Sequence, residues 1–220
     1  MGDLIVLTER LTDRLRLGRD GRAAFFFDPT CPFSYLAAER IERVLGEVEW
    51  VPTAALALGW GAGGEAVAAV RAEAERRAAA LRLPLVWPER FPVAPAAALR
   101  AAAYASEIGA GARFALAASR LAFCGGFNLE DPEMIVAAAA AAGVPRDACL
   151  AATADQSRDG PARAAAHALS ARGVRRLPAI RLGRRFYDGE RALAARPEPL
   201  TGAQVCPESD DPPRSGSRIG

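Results

Sequence analysis

The stretch Phe25-Phe26-Phe27-Asp28-Pro29-Thr30-Cys31-Pro32-Phe33-Ser34-Tyr35-Leu36 decides how the chain is read. A bulky apolar run ends in Asp-Pro-Thr, and a helical pattern begins at once, with Pro32 at an early helical position where its missing N–H costs nothing. Cys31 falls at the seam. A helix N-terminus presents unsatisfied N–H groups and the positive end of the peptide dipoles. Both favour a thiolate, so the placement predicts a reactive Cys31 with a lowered pKa, alkylated near neutral pH faster than Cys124 or Cys149. The competing reading is a packing residue, because cysteine is among the most buried residue types.

Outward from that stretch, residues 22–28 read as a buried strand and Pro32 to Gly46 as one helix, with Leu36, Ile41, Val44 and Leu45 on its apolar face. Residues 47–53 alternate in polarity and read as a second strand ended by Pro52. From 54 to 171 the pattern is helical, with helices expected at 63–82, 94–108, 111–123, 131–142, 146–153 and 160–171, separated by Gly and Pro. Asp131-Pro132 reads as a cap followed by proline at the first helical position. Strand character returns at 177–182. Gly183-Arg184 then forms a two-residue hairpin turn and Arg185-Phe186-Tyr187 the return strand. A short helix is expected from Gly189 to Ala195. This order predicts an α/β protein, a four-stranded sheet interrupted by a helical insertion. It divides into an arm at 1–21 with one short helix at 8–18, a sheet domain at 22–53 and 172–196, an insertion at 54–171, and a disordered tail at 197–220 rich in Pro, Gly, Ser and Asp.

Composition narrows the function. Hydrophobic residues make up 51% of the 220, enough for a substantial core. The formal net charge of +2 argues against an electrostatic nucleic-acid binder. Every basic residue other than the single histidine is arginine, which excludes lysine-based catalysis. No run is long enough to span a bilayer, and the N-terminal residues lack the apolar core of a secretory signal, so a cytoplasmic protein with no membrane partner is expected. Cys31, Cys124, Cys149 and Cys206 form no CxxC pair and no metal-ligand spacing, so free thiols and no metal site are expected. Cys124 and Cys149 read as fillers among alanines, and Cys206 in the tail is a candidate resolving thiol. His167, mid-helix among alanines, has no placed nucleophilic partner. The Arg175-Arg176 and Arg184-Arg185 pairs read as solvated surface, and Trp87 and Phe91 as core or an apolar substrate wall.

Three motifs carry a family resemblance over about residues 22–195. Phe26 to Leu36 is similar to a strand–turn–helix pattern F-x-F-D-x-x-[SC]-P-[FY]-S-Y-L; Leu83-Pro84-Leu85-Val86-Trp87-Pro88 is similar to a P-[LF]-x-x-P loop between inserted helices; Gly173 to Ile180 resembles G-V-x-G-[VT]-P-T-x. Together they resemble the DsbA-like branch of the thioredoxin superfamily, nearest in pattern to 2-hydroxychromene-2-carboxylate isomerases and kappa-class glutathione transferases. The resemblance implies a thioredoxin-like mixed four-stranded sheet with an all-helical insertion. It implies a site of Cys31 and Ser34 as catalytic groups, with Pro32, Phe33, Leu177, Pro178, Glu190 and Arg191 binding the thiol substrate. Pro178 corresponds to the family's cis proline, which leaves the Leu177 backbone able to pair with an extended thiol.

The position of Cys31 is serine in the isomerases and transferases and the first cysteine of C-P-x-C in the disulfide oxidoreductases. Here Ser34 stands where the second cysteine would be, so Cys31 can form a mixed disulfide but cannot close one within the motif. The chain also departs from the [FW]-G-x-D-R pattern, having Tyr187-Asp188-Gly189-Glu190-Arg191; it has Ala94 where an Asn follows the inserted Phe-Pro, and Arg176 where a Gly precedes the proline dipeptide. Three functions follow. The first is a thiol-dependent oxidoreductase using Cys31. The second is a glutathione-dependent isomerase or transferase. The third is a thioredoxin-like binding module without turnover. No tightly bound cofactor is implied; glutathione or another low-molecular-weight thiol is the expected cosubstrate, with a small-molecule or protein-thiol substrate, and the resembling enzymes are often dimers.

Overall fold

The computed structural model describes residues 23–58, 64–189 and Leu193. The arm, the tail with Cys206, the pair Glu190–Arg191 and most of the helix expected after Gly189 lie outside the described residues. β1 spans Ala24–Phe27 and α1 Pro32–Ala38, followed by α2 at Ile41–Leu45 and β2 at Glu49–Pro52. A 3-10 turn at Ala55–Leu58 leads to α3, Gly64–Leu81. Then come α4 (Ala96–Glu107), α5 (Gly111–Phe123), α6 (Pro132–Ala141), α7 (Arg146–Ala154), a 3-10 turn (Gln156–Arg158) and α8 (Asp159–Ser170). The chain returns to the sheet in β3, Ala179–Leu182, and β4, Arg185–Asp188. Among the described residues no helix is long and apolar enough to cross a membrane.

The four strands form one mixed sheet in the order β2-β1-β3-β4. β1 is parallel to β2 and antiparallel to β3, which is antiparallel to β4. The parallel pair needs a crossover, which α1 and α2 supply; the β3–β4 pair needs only the turn at Gly183, whose φ of 57° is available to glycine without a Cβ clash. Alternation along β1 divides the sheet into two buried faces. Phe25 and Phe27 point to one, where each meets Trp50 of β2 edge-on, at 4.9 and 5.5 Å between ring centroids. That face continues into α1 and the alanine-rich α4, α5 and α6 as one apolar cluster. Ala24 and Phe26 point to the other, together with Cys31, Ala55, Leu169, Val174, Leu177 and Ala179. On this second face Ala24 lies between Glu49 of β2 and Arg181 of β3. Its small side chain lets the buried Arg181 reach across β1 to Glu49, Nη2 to Oε2 at 3.3 Å.

The helix expected from Pro32 to Gly46 is two helices. Its first segment closes with shorter-reach bonds: the Arg40 N–H donates to the Ala37 carbonyl, and Arg40 leaves helical geometry at φ −130°. Glu39 at the break accepts two bonds from the Arg120 guanidinium of α5, at 2.6 and 2.7 Å, which anchors the end of α1 to the insertion. The Asp131 cap forms as the sequence indicates, its carboxylate accepting the Glu133 N–H at 2.9 Å with Pro132 at the first helical position. The two 3-10 turns carry no periodic signal and are not expected from sequence.

Tyr35 fixes α1 from its buried side. Its ring stacks on Phe123 of α5, and its hydroxyl donates to the Pro84 carbonyl at 2.8 Å and lies 3.2 Å from Cys124 Sγ. Burial, first of all, then the contact with Cys124, raise the Tyr35 pKa, so the phenol stays a neutral donor. Tyr35→Phe should lower stability by about 1 kcal/mol, the usual net value of one such bond. Urea denaturation of wild type and variant checks this; equal midpoints would mean that the Pro84 contact contributes nothing.

Candidate active site

The turn between β1 and α1 is organised by Asp28. Its Oδ1 accepts the Thr30 N–H at 2.9 Å and the Thr30 hydroxyl at 2.7 Å, and its Oδ2 accepts the Ala55 N–H at 3.0 Å. Its own carbonyl accepts the Cys31 N–H at 3.0 Å, and its N–H donates to Ser34 Oγ at 3.3 Å. A side chain bonding the N–H two residues on is the local habit of aspartate in turns. Here it sets the chain direction so that Cys31 becomes the N-cap of α1, in extended geometry (φ −94°, ψ 119°). Pro32 is buried at the first helical position, and Ser34 is buried with its hydroxyl directed back at the turn.

The register of β1 against β3 delivers the opposite wall. Phe26 pairs with Ala179, so the residues just before β3 meet the turn just after β1. The Cys31 thiol points at the Leu177 carbonyl, Sγ to O 3.7 Å, and the Leu177–Pro178 peptide bond is cis. The structure therefore brings Cys31, Pro32, Ser34, Leu177 and Pro178 together. Phe33, half-buried, packs into both apolar clusters, with the Arg77 guanidinium 5.7 Å from its ring centroid. Glu190 and Arg191 lie outside the described residues. Trp87 and Phe91 pack against each other at 4.6 Å, and the Arg71 guanidinium covers both, at 5.0 and 5.4 Å. They form a capped aromatic group beside Phe123, packed against the apolar cluster, the core arrangement of the two that the sequence leaves open. His167, Arg175, Arg176, Arg184 and Arg185 are exposed.

The electrostatics correct the expectation for Cys31. Its side chain is not at an open helix end: the residue is 1% exposed and sits among apolar groups. Burial pushes the thiol up to about 12; donors from Ser34 and Phe33 pull it down, and the nearby Asp28 carboxylate raises it further. The helix N-terminus acts in the expected direction, but the loss of water outweighs it. In this conformation Cys31 is a neutral thiol. Burial raises the Asp28 pKa too, against the bonds from Ala55 and Thr30 that favour its charged form. Asp28 and Thr30 were absent from the sequence-based site; the signal that finds them is the Asp-x-Thr spacing of a side-chain-closed turn directly before the cysteine. Cys149 is buried with its thiol 4.0 Å from the Ile135 carbonyl, and Cys124 is half-buried. Among the described residues no cluster of three or more His, Cys, Asp or Glu is placed to hold a metal ion.

Since Cys31 ionises only at high pH, its alkylation by iodoacetamide should be slower at neutral pH than that of half-buried Cys124. It should climb about tenfold per pH unit without levelling off up to about pH 10. Peptide mapping of timed reactions gives both rates; a plateau near neutrality would establish a low-pKa thiolate. The linked stability follows the same sign: a folded-state pKa above the unfolded one stabilises fully below the ordinary thiol range, and this contribution is lost as pH rises toward about 12.

Residues 23–196 match the family model described as a DSBA-like thioredoxin domain. No curated protein matches the sequence significantly. Among solved structures, a 2-hydroxychromene-2-carboxylate isomerase aligns at 18% identity over 78% of this chain and 90% of its own, with a TM-score of 0.64. A probable DsbA oxidoreductase from Streptomyces coelicolor aligns at 20% identity over 89% of this chain and 99% of its own, with a TM-score of 0.60. At these identities the likeness is one of fold.

Proposed function

This chain belongs to the family of DSBA-like thioredoxin domains, and from that premise we propose that it is a thiol-dependent oxidoreductase whose reacting atom is Cys31 Sγ. The observation that carries the reading is the meeting of that sulfur with the Leu177 carbonyl, 3.7 Å apart across 146 residues of sequence. A thiol at a helix start facing an extended backbone segment is suited to a substrate that offers sulfur to the one and peptide groups to the other. Glutathione and other low-molecular-weight thiols have that chemistry, and so does a cysteine in an extended protein segment.

The exchange runs in two steps. Cys31, once uncovered, gives its proton to solvent, and the thiolate attacks one sulfur of a disulfide. The Cys31–S–S–R bond forms, the old S–S bond breaks, and the second sulfur leaves as a thiolate that takes up a proton. A second thiol then attacks the mixed disulfide and expels the Cys31 thiolate. That thiol comes from outside the motif, because Ser34 occupies the place of a second cysteine and its hydroxyl is engaged with the Asp28 N–H. The incoming disulfide is the oxidant, and no other is consumed.

The burial of Cys31 favours a second reading. A thiol held neutral is a hydrogen-bond donor and a poor nucleophile. In that role Cys31 does what a serine hydroxyl does, orienting the sulfur of a bound small thiol, and the reaction is a thiol-dependent isomerisation or transfer. The structural likeness to the chromene-carboxylate isomerase agrees with this reading.

Intact-mass analysis after incubation with oxidised glutathione tests the first reading. One glutathione adduct should map to Cys31, disappear with excess reduced glutathione, and be absent in Cys31→Ser. Retention of a glutathione-dependent turnover by Cys31→Ser would move the assignment to the isomerase or transferase reading. Absence of both adduct and turnover would leave a binding module without catalysis.

A further inference from the structure

We infer that Asp28 is a positioning residue for the thiol site: its carboxylate bonds the 3-10 segment Ala55–Leu58 and holds it closed beside Cys31. The segment leaves β2 through three backbone donors. The Thr53 N–H reaches the Phe27 carbonyl at 2.8 Å, the Ala54 N–H reaches the Ala162 carbonyl of α8 at 3.4 Å, and the Ala55 N–H reaches Asp28 Oδ2 at 3.0 Å. Only the last of these ends on a side chain. Ala55 opens the 3-10 turn, so its N–H has no partner within the turn. Asp28, distant in sequence, supplies that partner. Ala55 belongs to the same buried cluster as Cys31 and Leu177, and Leu58 packs against that cluster. The segment is therefore part of what keeps water from the sulfur.

The same carboxylate holds the other side of the thiol through Thr30, with both the N–H and the hydroxyl on Oδ1. One group thus fixes the turn that carries Cys31 and the segment that covers it. Its position between the two makes it the joint at which the site opens. Breaking the Oδ2 bond alone loosens the segment at Ala55, while the Thr53 and Ala54 backbone bonds and both Thr30 bonds remain. The inference deepens the proposed function and relies on it only for Cys31 being the reacting atom; access to that atom is measured without any substrate.

Two variants break the bond from opposite ends. Asp28→Ala removes the acceptor, and Ala55→Pro removes the donor while leaving both Thr30 bonds in place. The readout is the ratio of iodoacetamide labelling rates at Cys31 and Cys149, by peptide mapping of the full chain. Cys149 is buried at the α6–α7 contact and reports general loosening. Each variant should raise the Cys31 rate on the order of tenfold, the effect expected from the loss of one buried hydrogen bond, with Cys149 unchanged. An unchanged Cys31 rate in Ala55→Pro would overturn the inference, as would a parallel rise at Cys149 in both variants. If Asp28→Ala fails to fold, Ala55→Pro alone decides. The glutathione adduct on the wild-type protein tests the proposed function separately, so either can fail while the other stands.

Discussion

The site depends on a contest at one sulfur atom. The start of α1 offers Cys31 Sγ the N–H donors of Phe33 and Ser34, which favour negative charge. The apolar packing around it removes the water that would stabilise such a charge, and Asp28 adds like-charge repulsion. The favourable influences, the Ser34 hydroxyl among them, are local to the helix, whereas the two unfavourable ones come from how the turn, β3 and the segment after β2 close on it. Packing wins in the closed structure, and the balance is set by how tightly those segments fit. Any chemistry at Cys31 is therefore tied to exposure more than to the intrinsic acidity of a helix N-terminus.

The sheet registers make that closure possible. β1 is the central element: parallel to β2, antiparallel to β3, with alternate side chains on two buried faces. Because Phe26 faces Ala179, Leu177 arrives beside the turn that begins at Asp28. A slip of one residue would turn Phe26 and Ala24 to the aromatic face and carry Leu177 away from Cys31. The aromatic contacts of Phe25 and Phe27 with Trp50 and the reach of Arg181 to Glu49 hold the register from opposite faces.

Much of this was legible in the chain. Strands at Phe25–Phe27 and at 179–182 announce themselves by bulk and by the Pro and Gly that bound them, and the alanine-rich helices by their length and punctuation. Cys31 and Pro178, so far apart in sequence, could be paired only through the family resemblance, since nothing local to either says which strands adjoin. The break at Glu39–Arg40 carries no Gly or Pro signal, and the Arg120 guanidinium that anchors Glu39 there lies 81 positions away. The raised pKa of Cys31 was hidden because the helix start is written locally, but the water-excluding cover is assembled from Ala55, Leu169, Val174 and Leu177. Asp28 was visible as part of a turn, whereas its bond to Ala55 required the tertiary structure.

The reach of Arg181 over Ala24 sets a ceiling on side-chain size at the middle of the sheet. The guanidinium and the Glu49 carboxylate meet above a methyl group, so a valine or leucine at position 24 would occupy the route between them. The arginine would then be stranded in a dry interior without its counter-ion. Substitutions at these three positions are accordingly coupled: a bulkier residue at 24 is compatible with the fold when 181 becomes neutral as well, and evolutionary drift at the three sites should proceed in concert.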